Sequence, residues 1–304
     1  MSRTFDVTHR TTYTYDLPVS TSYGRAYLTP RDLVGQWCIS SRVDVAPDPD
    51  LVSPSLDFYG NRSVYVEVHR AHSELVVTAH SRVQVTRTAP ALATLAEWTW
   101  EQVRDGVAAA DERSGGPELE LAKGFLLPSA QVSFGPEVTM YAESVFRPGR
   151  PVGEAVTELV ARIHDDFTYR SGVTSVSTTL PEVLAAREGV CQDFAHLAVA
   201  CLRSVGLPAR YVSGYLETQP PPGKPKLAGA DASHAWASVL LPEWGWVDID
   251  PTNDRVVDDA YVVTAWGRDY TDVPPLKGVI FTDAKTSTLK VSVDVIPVPD
   301  EELP

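Results

Sequence analysis

Cysteine is scarce in this chain. Its three copies, Cys38, Cys191 and Cys201, are odd in number and widely spaced. Such a set does not build a disulfide framework, and no C-x2-C pair is present to begin a structural zinc site. No metal or cofactor is expected. Long apolar runs are also missing: nothing approaches the roughly 18 apolar residues of a membrane helix, and the N-terminus MSRTFDVTHRTTYTYDL has no apolar signal core. Basic residues are in deficit, 26 against 40 acidic ones, giving a net charge of −14. That sign excludes nucleic acid and anionic membranes as main partners. No P-loop occurs, and no Gly-rich fingerprint follows a strand. A soluble protein of a reducing, cytoplasmic compartment is the expectation.

What is present changes character along the chain. Residues 1–88 alternate apolar and polar side chains in TFDVTHRTTYTY, SVYVEVHR and ELVVTAHSRVQVTR, with breakers such as PDPD and YGN between them. This predicts an N-terminal antiparallel, β-sandwich-like domain. Residues 89–304 are expected to form an α+β core that includes the last strands of the chain. LATLAEWTWEQVRDGVAAADE reads as one helix. PVGEAVTELVARIHDDFTY carries Val156, Leu159, Val160 and Ile163 at helical spacing. LPEVLAARE is a short helix. Another helix follows Cys191, with Phe194, Leu197, Ala198, Cys201, Leu202 and Val205 as its apolar stripe and Gly206 as its stop. ARYVSGYLE, HAWASVLL and WGWVDID read as strands.

Cys191 sits where a glycine-containing turn becomes a helix. Unpaired N–H groups and the positive end of the helix dipole favour a thiolate there. A thiolate nucleophile needs a base, and the base needs an orienting partner. His234 opens the strand HAWASVLL, and WVDID returns after LPEWG. A hairpin centred near Pro242 places His234 and Asp250 opposite one another on one face, with Asp248 opposite Trp236. Asp250 is therefore favoured as the carboxylate, with a bulge or shifted turn able to exchange the two acids.

The other chemistry-bearing residues read as structural. Cys201 lies on the apolar stripe. His196 is about 140° round the helix from Cys191 and should not face the thiol. His164 is expected to cap its own helix end. Arg268, in GRDY, is either a carboxylate clamp for substrate or a surface partner of Asp269. The loop Gln219 to Ala232 directly precedes His234 and is either a lid or a plain surface loop.

GVCQDFAHLAVACLRSVGLPARYVSGY followed by SHAWASVLLPEWGWVDIDPTND resembles the transglutaminase-like superfamily of papain-type cysteine enzymes. The upstream HRTTYTYDLPV, the region from Tyr27–Pro30 to Gln36, and DFYGN resemble the β domain of its bacterial members; FLLPS, HDDFTYRSG and AWGRDYTDVPPLKGV resemble the same group. The resemblance covers nearly the whole chain. It implies a papain-like core, a nucleophile helix packed on an antiparallel sheet, with Cys191 as nucleophile, His234 as base and Asp250 as orienter. Animal transglutaminases have a tryptophan upstream of the nucleophile, and here none lies between Trp100 and Trp236. Tyr169, Gln192, Trp236, Arg268 and Tyr270 are the candidates for oxyanion or substrate contacts. The implied activity is cysteine-dependent cleavage of a peptide or protein amide through a thioester. One alternative is acyl transfer to an amine, as in a protein-glutamine gamma-glutamyltransferase. Another is a non-catalytic interaction module on the same fold.

Overall fold

The computed structural model describes residues 2–110, 119–218 and 233–299. The expected lid, Gln219 to Ala232, lies outside the described residues.

The first sheet is organised around one long strand, β1 (Arg3–Ala26), whose period-two pattern turns Phe5, Val7, His9 and Thr11 inward. β2 (Gln36–Ala46), β3 (Leu51–Leu56), β4 (Arg62–Val68) and β5 (His72–Val85) join it in the order β2-β5-β1-β4-β3. β1 pairs with β5 through its first half and with β4 through its second, and the register shifts between Thr14 and Val19. The two halves close on a shared core that includes Tyr15, Val19, Val66, Val68, Leu75 and Val77. Sandwich-like layering thus comes from one bent antiparallel sheet.

β13 (Leu276–Thr282) and β14 (Ser287–Val298) also pair with β1, along its other edge. The sequence reading had placed these last strands with the core. Ladder partners this far apart leave no local signal, and the first sheet is completed by the end of the chain.

Between the sheets' strands lie α1 (Trp100–Ala109), α2 (Pro136–Glu143), α3 (Val152–Asp166), α4 (Leu180–Ala186) and α5 (Cys191–Ser204). The helix expected from LATLAEWTWEQ is interrupted. A 3-10 turn covers Leu92–Leu95, and α1 starts afresh at Thr99, whose hydroxyl accepts from the Gln102 N–H while the Gln102 side chain accepts from the Thr99 N–H. That reciprocal cap fixes the second start. α5 ends at Ser204, and Gly206 follows at φ +84°, where an L side chain is strained.

The second sheet contains β8 (Ala209–Leu216), β9 (Ser233–Leu241), β10 (Gly245–Asp250), β11 (Arg255–Val256) and β12 (Tyr261–Gly267), ordered β11-β10-β9-β8-β12. A short parallel pair, β6 (Thr168–Tyr169) with β7 (Glu188–Gly189), leads into α5. One face of the second sheet presents Ala237, Val239, Val247 and Ile249 to the apolar stripe of α5. The opposite face carries Val212, Trp236, Val257, Tyr261 and Val263.

The two sheets are joined by apolar packing and by two amides. Phe5, Val7, Val83 and Val85 pack with Tyr215 and Val262. β12 is an edge strand, and its backbone groups meet two side chains of the first sheet, Gln36 at the start of β2 and Asn61 just before β4. The Gln36 amide donates to Val263 O at 2.9 Å and accepts from Val263 N at 2.8 Å. The Asn61 amide does the same with Trp266 O at 2.8 Å and Trp266 N at 2.9 Å. Each amide stands in for a neighbouring strand and leaves the edge satisfied.

Candidate active site

The start of α5 is built by Asp193. Its carboxylate accepts from the Val190 N–H at 2.8 Å and from the Thr174 hydroxyl at 2.7 Å. Burial raises the Asp193 pKa, and those two hydrogen bonds oppose the rise. Gly189 is required by the same contact: a Cβ there would lie 2.8 Å from Asp193 Oδ2. Val190 accepts from the N–H groups of Asp193 and Phe194. Among the described residues, no acceptor engages the N–H of Cys191 or of Gln192, so two donors at the positive end of the helix stay free. Cys191 itself is half-buried, beside Tyr27, Ala195, Tyr211, Ala235 and Tyr270.

His234, at the start of β9, and Asp250, at the end of β10, meet on two inner strands of the second sheet. The His234 Nε2 lies 2.7 Å from Asp250 Oδ2, with the imidazole 10% exposed and the carboxylate 0% exposed. Asp250 is further held by the Tyr261 hydroxyl at 2.7 Å, the Asn253 amide at 2.6 Å and the Thr252 N–H at 2.9 Å. Burial would raise the Asp250 pKa, but the charge and hydrogen bond of His234 and the bonds from Asn253 and Tyr261 bring it below the usual value. Burial would lower the His234 pKa. The charge and hydrogen bond of Asp250 outweigh it, and the nearby Cys191 adds to the rise. With Nε2 committed to Asp250, Nδ1 is the ring nitrogen left for sulfur.

The hairpin arithmetic needs one correction. β9 and β10 pair with Leu241 opposite Gly245, Val239 opposite Val247 and Ala237 opposite Ile249. The turn is centred one residue later than expected, with Glu243 at φ 64° and Gly245 at φ 69°. Asp250 therefore lies two residues short of the position opposite His234 and reaches it diagonally. A shift of two keeps the face, because strand side chains alternate with period two. Asp248, two residues earlier, is opposite Ser238 and pairs with Arg87 at 3.0 Å.

The other expected residues fall at different distances from the thiol. Gln192 is half-buried at the helix start. Tyr270 packs against the same cluster as Cys191, and its N–H donates to His196 Nε2 at 3.1 Å. Trp236 is fully buried, its ring centre 6.0 Å from that of His234 and 5.3 Å from that of Tyr261. Tyr169 is exposed, and its backbone pairs with Gly189. Arg268 is paired with Asp272, not Asp269: its Nε and Nη2 both donate to that carboxylate at 2.9 Å. Asp269 instead accepts from the N–H groups of Gln131 and Thr271. His164 bonds to Thr252 O at 2.9 Å rather than capping α3, which ties that helix to the turn beside Asp250.

Three residues near the site escaped sequence reasoning. Asn253 lies three positions after Asp250 in DPTND, so proximity alone was its signal. Tyr261 and Tyr211 arrive from β12 and β8, and nothing local marks them.

The arrangement defines a class: a helix headed by a half-buried cysteine, packed on an antiparallel sheet whose inner strands carry a bonded histidine and aspartate. Residues 5–84 match the bacterial transglutaminase-like N-terminal region, and residues 139–251 match the transglutaminase-like superfamily. An uncharacterized protein of Mycobacterium tuberculosis is 47% identical, over 98% of this chain and 94% of its own length. The chain belongs to the transglutaminase-like superfamily. The protein-glutamine gamma-glutamyltransferase of Pseudomonas aeruginosa is 33% identical over 92 residues, which is 29% of this chain and 14% of that protein. The fold matches a solved structure of a candidate cysteine protease from Cytophaga hutchinsonii with a TM-score of 0.76 at 21% identity, over 100% of this chain and 93% of that one. Among the described residues, no helix is long and apolar enough to cross a membrane.

Proposed function

We propose that this protein is a cysteine-dependent amide-bond enzyme, acting on peptide or protein amides through Cys191, His234 and Asp250. The observation that carries the reading is the 2.7 Å pair of His234 and Asp250, with Cys191 near enough to that imidazole to add to its raised pKa. A carboxylate so placed favours imidazolium, and imidazolium favours thiolate.

In the proposed reaction the Cys191 sulfur attacks the amide carbon. The carbon–sulfur bond forms as the carbonyl electron pair moves to oxygen. The free N–H of Cys191 supplies one donor to that oxyanion, and Gln192 and Tyr270 are the candidates for a second. His234 then protonates the leaving nitrogen as the carbon–nitrogen bond breaks, leaving a thioester. Water attacks next, giving its proton to His234. The carboxylic acid departs and sulfur is released. Asp250 holds the imidazole orientation throughout and does not itself take the proton.

Hydrolysis is the leading outcome. Transfer to an amine differs only in which nucleophile resolves the thioester, and the named activity of the Pseudomonas relative favours it as the second reading. A glutamine-containing peptide library with a dansylated primary amine separates them. New N-termini or released ammonia without dansyl incorporation means hydrolysis, and incorporation means transfer. Cys191→Ala abolishes either signal; a Cys191→Ala protein that retains turnover rejects the scheme.

A further inference from the structure

At the far end of the same sheet face lies a second buried charge, with different company. Arg210 is on β8 opposite Ser238, and His234 is opposite Gly214. Four residues along a strand separate the two positions by about 13 Å. Arg210 is 8% exposed. Its guanidinium carbon lies 3.7 Å from the ring centre of Trp266 and 4.3 Å from that of Trp246. The Nε is buried with no acceptor, and no described carboxylate forms an ion pair with it.

The charge balance around it is uneven. The acid whose field reaches Arg210 is Asp248, already paired with Arg87. Arg31 also stacks on Trp266, at 3.5 Å, and adds to the positive field. Burial pulls Arg210 down to about 9, with Asp248 opposing and Arg31 assisting, so it remains cationic at neutral pH. A buried cation whose stacking partners are only rings lacks the bonded counter-charge that usually offsets desolvation.

Arg210 lines two adjoining cavities of about 480 and 400 Å³. Both share Leu33, Val34, Trp244, Trp246 and Trp266, and the first adds Tyr59 and Phe125. Trp244 and Val34 are exposed at the mouth. The volume and the aromatic walls suit a small organic molecule, and the guanidinium fork suits a carboxylate.

We propose that this cavity binds a small organic acid with an aromatic or apolar body, its carboxylate seated on Arg210. The site is separate from the Cys191 centre and does not rest on the proposed reaction.

The probe is 3-phenylpropionate, titrated into the full-length protein by calorimetry and by tryptophan fluorescence. The expected result is saturable binding with quenching. Binding should be at least tenfold weaker for 3-phenylpropionamide, which keeps the shape and loses the charge. Arg210→Met should weaken the acid at least tenfold and leave the amide unchanged, and Trp244→Ala should weaken both. Cys191→Ala should bind as the parent does. Absence of saturation at millimolar acid, or equal affinity for acid and amide, overturns the proposal. If Arg210→Met does not fold, the acid–amide comparison on the unaltered protein decides. Tighter binding of an acetylated tripeptide ending in phenylalanine than of 3-phenylpropionate would give the site to peptide C-termini and overturn the small-molecule form.

Discussion

His234 and His196 are both buried near Cys191, and their surroundings drive them to opposite states. His234 meets the Asp250 carboxylate at 2.7 Å and is raised. His196, inside α5, accepts a backbone N–H from Tyr270 and is lowered to about 4 by burial, with the charge of Asp269 only partly opposing. An acid is thus near each ring. The difference is that Asp250 bonds directly to an imidazole nitrogen, whereas Asp269 spends its oxygens on Gln131 and Thr271. A donor on the ring nitrogen requires the neutral form and an acceptor favours the charged one. Burial presses on both rings alike, and the partner bonded to the ring nitrogen separates the raised imidazole from the lowered one.

Removing the acceptor should make His234 resemble His196. Asp250→Asn keeps the shape and removes the charge, so the raised His234 pKa should fall. Under the proposed mechanism turnover drops by roughly 10³- to 10⁴-fold, the scale of such a change in other triads. Iodoacetamide labelling of Cys191 below pH 7, followed by peptide mass spectrometry, should slow in parallel, with Cys38 and buried Cys201 as internal controls. Unchanged labelling would mean that Asp250 does not govern the imidazole.

The fastener predicts a stability profile. His196 and His9 are both lowered to about 4 by burial. Between that value and the ordinary 6.5 the unfolded chain binds more protons than the folded one, so stability rises with pH across this window and is lost as pH falls. Each shift is worth on the order of 3 kcal/mol. His234 acts in the other direction: its contribution is complete below 6.5 and is lost as pH rises through its raised value. His196→Gln keeps an acceptor for the Tyr270 N–H and cannot titrate. Its denaturant midpoint should depend less steeply on pH between 6.5 and 4 than the parent's, at a cost of about 1 kcal/mol at pH 7.5. An unaltered acid slope would show that His196 is not the group being protonated.

The contrast between these histidines was legible in part. Spacing alone put His196 off the thiol's side of the helix and His234 on the face of Asp250, because helical and strand periods are fixed. The register was missed by two because it depends on Glu243 and Gly245 adopting positive φ, which no alternation pattern reports. The partners of β13 and β14 lie some 270 residues away in the chain, beyond any local rule. YGN reads locally as a break between strands, and the Gln36 region is marked only through resemblance. Their physical role is at the seam, where the Asn61 and Gln36 amides finish the edge of β12. Arg210 had a visible signal, a charge inside the apolar strand ARYVSGY, but its indole neighbours come from two other strands.

The smallest predicted effects separate the supports of Asp250 from Asp250 itself. The Tyr261 hydroxyl is buried and donates to the same oxygen as His234. Tyr261→Phe should raise the Asp250 pKa toward its ordinary value and cost about 1 to 2 kcal/mol of stability, the worth of a hydrogen bond to a charged group. The ion pair persists without it, so Cys191 labelling should slow only a few-fold. Asn253 donates from a more exposed position, where water replaces the lost amide, and Asn253→Ala should cost roughly 1 kcal/mol or less. Denaturant titration and labelling rate on the same samples give both numbers. If Asn253→Ala slowed labelling more than Tyr261→Phe, orientation of the imidazole by the DPTND turn would outweigh the charge on Asp250, and direct bond polarity would no longer account for the difference between the two histidines.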